Sequence, residues 1–302
     1  MKLRIALILI LFLMVNLLIA GCETLPAEES GVRVVATTTI VGDVVKQIGG
    51  ERISLTTLLP IGTDPHTYEP RPQDVAAIHD AQLVFINGLE LEHSMETVIE
   101  ANAGGPVVVV SDGIEVLPFS AAGEEHGSGD PHTWMDPKNV QKWVENITSA
   151  LVAVDPEGAS VYQANAEAYI LQLVDLDAWI KDEMGAIPVD QRKLVTDHQS
   201  LGYFAEAYGL EQVGLVISSL STNASVSAQD LARLEEVVRT EKVKAIFIEM
   251  GASDALASQV ARDTGIEVVR IYTGSLGTAE SGVDDYINFM RFNVNAIVSG
   301  LR

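Results

Sequence analysis

From Val32 onward, short apolar runs rich in β-branched residues alternate with amphipathic stretches. Val32–Thr38, Ile53–Leu59, Leu83–Asn87 and Val107–Ser111 are mostly bounded by Gly, Pro, Asp or Asn, which is how strands read. Helix-like stretches such as Ile40–Ile48 and Pro72–His79 lie between them. At Asp155-Pro156 the pattern changes. Asp is a good helix N-cap and Pro suits the first helical position. Tyr162, Ala166, Tyr169, Leu173, Leu176, Ile180 and Met184 then recur at steps of three and four, the apolar face of one long helix. No proline interrupts it before Pro188. A helix of nearly thirty residues is about 43 Å long at ~1.5 Å per residue, which suits a spine between two lobes. A coiled-coil partner is the rival, and the pattern is short for one. After Pro188 the alternation restarts, with strands expected at Lys193–Thr196, Gln212–Ile217, Ala245–Glu249 and Val268–Tyr272, and helices at Ser227–Thr240 and Asp254–Thr264. The fold expected is two similar α/β lobes with mostly parallel sheets, joined by one long rigid helix. Its parts are residues 32–154, 155–187 and 188–302. Ligands of open α/β sheets bind beyond the carboxyl ends of the strands, an edge that here can face a cleft.

The first residues follow a different pattern. Lys2 and Arg4 precede Ile5 to Ala20, an apolar run broken only by Asn16. That reads as an export signal over residues 1–21, and it is short for a membrane span of about 20 apolar residues. An N-terminal anchor helix is the alternative. Ile19-Ala20-Gly21-Cys22 resembles the bacterial lipobox, which makes Cys22 the expected lipidation site and residues 22–31 a lipidated cysteine and polar tether. Cys22 is the only cysteine, so neither an internal disulfide nor a multi-thiolate zinc site is available. The chain of 302 residues is 47% hydrophobic, enough for two buried cores. Its formal charge of −23 argues against nucleic acid. The charge is compatible with a cationic ligand, and solvation explains it equally well.

Three of the six histidines stand at loop starts. Asp64-Pro65-His66-Thr67 and Asp130-Pro131-His132-Thr133 repeat one tetrapeptide in separate loops, and Asp197-His198 follows the first strand of the second half. A proline before the histidine stiffens the loop. Each histidine alone reads as a surface or structural residue. Together, His66, His132 and His198 can form a tetrahedral zinc site with one position open. The same set also serves a catalytic zinc, so a hydrolase remains an alternative. His79 reads as a solvated or capping residue, His93 as a helix-surface position, and His126 as part of a flexible acidic loop.

These motifs, with Asn87-Gly88-Leu89-Glu90-Leu91-Glu92, Gln163-Ala164-Asn165-Ala166-Glu167-Ala168-Tyr169 and the run His198 to Gly209, resemble the zinc/manganese solute-binding lipoproteins of ABC importers. The resemblance runs from Val32 to the end. It implies an extracytoplasmic receptor anchored by lipid at the periplasmic or cell-surface face. It acts as a monomer, capturing a divalent transition metal (Zn2+ before Mn2+) for an ABC permease and its ATPase. It carries the ligand role onto His66, His132 and His198. Manganese-type members usually have Glu at the third position, so His198 points to the zinc type. Many members take a fourth ligand, an Asp, from a loop near the C-terminus, where this chain has Gly274. The fourth position then falls to water or to a carboxylate elsewhere: Glu249 first, then Asp136, Glu280 or Asp284. Protonation competes with metal for histidine, so affinity should fall below about pH 6.5. Against a secreted zinc hydrolase stand the lack of a His-Glu-x-x-His helix and of a nucleophile motif. A surface adhesin with a structural metal and a receptor for an iron chelate or cobalamin are the other readings.

Overall fold

The computed structural model describes residues 31–119, 129–217, 222 and 225–302. The export signal, Cys22, the tether as far as Ser30, and His126 lie outside the described residues. All eight expected strands form: β1 Val32–Ala36, β2 Ile53–Thr57, β3 Leu83–Ile86, β4 Val107–Val109, β5 Lys193–Thr196, β6 Glu211–Leu215, β7 Ala245–Glu249 and β8 Glu267–Ile271. They make two four-stranded sheets of the same order, β2-β1-β3-β4 and β6-β5-β7-β8. Every pairing is parallel, as expected of strands covered on both faces. β1 ends two residues early for a local reason. Thr38 leaves the ladder to N-cap helix α1 (Thr39–Gly49), its side chain accepting from Val41 N at 3.1 Å.

Helices α2 (Pro72–Asp80), α3 (His93–Asn102), α4 (Pro137–Val154), α5 (Ala159–Gly185), α6 (Gly202–Tyr208), α7 (Ala228–Glu241), α8 (Ala255–Thr264) and α9 (Tyr286–Leu301) complete the described α-helices. α5 is the expected spine, 27 residues long, about 40 Å at ~1.5 Å per residue. Its buried residues include all seven of the apolar stripe. Asp155 anchors its start, accepting from Arg52 Nε (2.9 Å), Arg52 Nη2 (3.0 Å) and Tyr162 Oη (2.7 Å). The sequence reading did not name α4, α6 or α9, although α4 and α9 carry legible signals. Asp136 caps α4 ahead of Pro137, and Asp285 caps α9. Their stripes, Val140/Trp143/Val144/Ile147/Leu151 and Phe289/Met290/Val294/Ile297/Leu301, are fully buried.

The hydrophobic interior differs from two separate cores. One cluster runs from Val32 to Leu301 through both halves, with the α5 stripe among its members. Two smaller clusters cover outer faces, one around Leu58, Ile78 and Met95, the other around Leu234, Val238 and Val260. The reason is that α5 packs against α1 and α4 from the first half and against α9 from the second. Each large side chain so buried contributes about 1.5–3 kcal/mol.

Polar contacts also cross between the halves. Trp134 Nε1 donates to Thr273 O (2.9 Å), Tyr286 Oη to Trp134 O (2.7 Å), and Leu276 N to Thr39 Oγ1 (2.9 Å). Asp43 on α1 accepts from Tyr286 N at the start of α9 (2.9 Å) and from Gln47 Nε2 (3.1 Å). Burial pushes the Asp43 carboxyl up to about 6, with Asp285 and Asp284 adding repulsion. Between about pH 4 and 6 the unfolded chain therefore releases this proton and the folded chain holds it. The residue's contribution to stability is largest at the acid end and is lost as pH rises through that window. Asp43→Asn should flatten this part of the stability–pH curve. Denaturant unfolding at several pH values tests it, and an identical slope in the variant would refute the assignment.

Candidate metal centre

Each of the three histidines follows the carboxyl end of a strand. His66 lies in the loop after β2, His132 in the connection after β4, and His198 two residues beyond β5. An aspartate shapes each loop. Proline has no N–H, so in Asp64-Pro65-His66 the carboxylate reaches past it to His66 N (2.9 Å). Asp130 does the same for His132 N (3.0 Å), and Asp197 Oδ1 accepts from His198 N (2.8 Å). The repeated tetrapeptide is thus a turn that aims an imidazole.

The three rings meet between the sheets. Their centroids are 5.2–5.7 Å apart, and one nitrogen from each lies within 4.8 Å of the others. His66 Nε2 and His132 Nε2 are 3.2 Å apart. A tetrahedral zinc with bonds of about 2.0–2.1 Å holds its nitrogens roughly 3.3 Å apart. The other ring nitrogens are engaged in two cases: His132 Nδ1 with Asp130 Oδ1 (2.8 Å) and His198 Nδ1 with Asp197 Oδ1 (2.9 Å). A carboxylate on Nδ1 fixes the tautomer and leaves the Nε2 lone pair free for an electrophile. Sequence reasoning assigned no role to Asp130 or Asp197. Their place one or two residues before each histidine was the available signal.

A second layer holds the His132 loop. Asn87 Nδ2 donates to Pro131 O (3.0 Å). Asn87 opens a turn in which Gly88, Leu89 and Glu90 all have positive φ (87°, 55° and 60°). Two non-glycine residues in that region cost about 1–2 kcal/mol each. Buried Glu92 opposes this by accepting from Thr37 Oγ1 (2.7 Å), Asn87 N (2.6 Å) and Gly88 N (3.1 Å).

Burial and mutual repulsion hold His66 well below the ordinary imidazole range, and burial lowers His132 against the pull of Asp130. His198 goes the other way. Burial lowers it, but the charge and hydrogen bond of Asp197, with Glu249 and Asp64, raise it above the ordinary value. Glu249 ends β7 on the wall of a cavity of about 380 Å3 that His66, Asp197, His198 and Gly274 also line. Its Oε2 accepts from Thr273 N (2.8 Å) and Gly274 N (3.0 Å), and burial beside Asp197 pushes it up to about 7. It stands outside the group of three converging nitrogens. Gly274 packs against Pro65, and a Cβ there would meet Pro65 Cδ at 2.8 Å. The other carboxylates named from the sequence lie elsewhere. Asp136 caps α4, and Glu280 and Asp284 are exposed. His79 and His93 are exposed beside Asp80 and Glu96.

Residues 34–300 match the sequence model of a family described as the periplasmic zinc-uptake complex component A, ZnuA. The chain is 38% identical over 294 residues to the manganese-binding lipoprotein MntA of Halalkalibacterium halodurans, covering 96% of both chains. It is 33% identical over 308 residues to the iron ABC transporter substrate-binding lipoprotein MtsA of Streptococcus pyogenes, covering 99% of this chain and 98% of that one. Among solved structures it is similar to the periplasmic zinc binding protein TroA of Treponema pallidum, at 29% identity and a TM-score of 0.82, over 90% of this chain and 99% of that one.

Asp197 is the principal group raising His198, so Asp197→Asn should bring the His198 pKa below the ordinary imidazole value. An NMR titration of the metal-free protein reads this directly. A His198 midpoint unmoved by the substitution would contradict the assignment.

Proposed function

The chain belongs to the ZnuA family of periplasmic metal-uptake components, and we propose that it captures one divalent transition metal on His66, His132 and His198, zinc in preference to manganese. It is a substrate-binding component of an ABC metal importer and not an enzyme. The ion is cargo, passed to a membrane permease that its ATPase drives, and the receptor works as a monomer. The observation that carries the reading is the convergence of three imidazole nitrogens, two with Nδ1 held by a buried carboxylate.

The donor set supports zinc. Imidazole suits zinc, whereas manganese favours carboxylate and water oxygen. Glu249 is the first candidate for a fourth ligand, through the oxygen not held by Thr273 and Gly274. Burial, which pushes its carboxyl up to about 7, disfavours the anionic form that a hard donor needs. Water is the alternative, since Gly274 offers no side chain and the cavity has room for several molecules at ~30 Å3 each. The relatives are named for manganese, iron and zinc, so membership in the family leaves the choice to the donors.

Competition titration of the metal-free protein with zinc and manganese tests this reading. One zinc per chain, bound far more tightly than manganese and lost in His66→Ala, is expected. Equal or tighter manganese binding would mean that a carboxylate completes the site.

We also propose that Cys22 carries the lipid that holds the receptor at the extracytoplasmic membrane face. MntA and MtsA are themselves named lipoproteins, and no helix among the described residues is long and apolar enough to cross a membrane. Cys22→Ser should move the protein from the membrane to the soluble fraction and abolish labelling by a palmitate analogue. Retention of both would show another anchor.

A further inference from the structure

His132 belongs to the first half, yet part of what aims it comes from the second. Asp130, wholly buried, uses Oδ1 for both His132 N and His132 Nδ1. Its Oδ2 points across the cleft, where Gln199 Nε2 approaches to 3.5 Å. Its carbonyl accepts from Tyr203 Oη (3.0 Å), and that hydroxyl accepts from Leu117 N (3.2 Å). Between Gln199 and Tyr203 lies Gly202, the first residue of α6. A Cβ at Gly202 would run into Asp130 Oδ2, far inside van der Waals contact. A carboxylate tip usually gives way to such a methyl group. This one cannot turn without releasing the imidazole nitrogen held by its other oxygen.

We propose that Gly202 is a positioning residue of the metal centre, leaving room in the second half for the Asp130 carboxylate that orients His132. The first half's imidazole is then correctly aimed only while the second half is seated against Asp130. This rests on the reading of His132 as a metal ligand.

A double-mutant cycle on the full chain tests it, with zinc affinity measured against a chelator. Loss of an orienting partner typically weakens metal binding by about 10–100-fold, and Gly202→Ala should fall near the lower end of that range. Asp130→Ala should do at least as much. Because Gly202 acts through Asp130, the double variant should bind no more weakly than Asp130→Ala alone. The visible ligand-field bands of the cobalt-loaded Gly202→Ala protein should also shift, which a change of stability alone does not cause. Unchanged zinc affinity in Gly202→Ala, or the same fold-loss in the Asp130→Ala background, overturns the proposal. If Gly202→Ala does not fold, Tyr203→Phe replaces it. It removes one bond to the Asp130 carbonyl and should weaken zinc several-fold, and unchanged affinity there also overturns the idea. Zinc binding unaffected by His132→Ala would sink the ligand reading itself. Loss in His132→Ala with none in Gly202→Ala would sink this inference alone.

Discussion

Tyr162, Leu173, Leu176 and Ile180 are buried along one face of α5, in a core to which both sheets contribute. The convergence of the three histidines depends on that contact. Three imidazole nitrogens from loops of two different sheets must stay within 4.8 Å of one another, so the sheets cannot drift by much. A continuous core resists such drift because interiors are close-packed and respond to displacement with lost contact and strain. The hydrogen bonds from Trp134 to Thr273 and from Tyr286 to Asp43 add direction to this packing.

Within that frame, aspartates decide the chemistry of the histidines. Burial alone lowers an imidazole pKa, as it does for His66 and His132. It keeps the rings neutral and their lone pairs available to an ion. Asp130 and Asp197 then fix which nitrogen is available. Asp197 goes further and raises His198 above the ordinary imidazole value. Asp197 Oδ2 also accepts from Glu249 N at 2.7 Å, so one carboxylate ties an imidazole to the strand end that carries Glu249.

Gly274 leaves its backbone N–H on Glu249 and its Cα against Pro65, the residue before His66. A carboxylate side chain there would need Pro65 to move. Gly274 itself offers no side-chain oxygen, and the cavity wall it shares with Glu249 carries the carboxylate instead. Relatives named for manganese, iron and zinc show how far one architecture extends across metals.

Much of this protein was legible in its sequence. The β-branched runs marked all eight strands to within three residues, and the period of Tyr162 to Met184 marked the spine and its buried face. The repeated Asp-Pro-His-Thr singled out two of the three converging histidines, and Asp197-His198 the third. These are local signals, since strand, helix and turn follow from neighbours a few residues away. α4 and α9 carried equally local signals, in Asp136-Pro137 and in the stripe ending at Leu301, and went unread. The merging of two expected cores into one, the orientation of His132 from the opposite half, and the placement of Glu249 beside but outside the nitrogen cluster were of another kind. They depend on pairs far apart in the chain, such as Gly202 with Asp130 or Gly274 with Pro65. No periodicity encodes such distances, so composition and spacing determined the elements and the donor types, and only tertiary packing decided which donors meet.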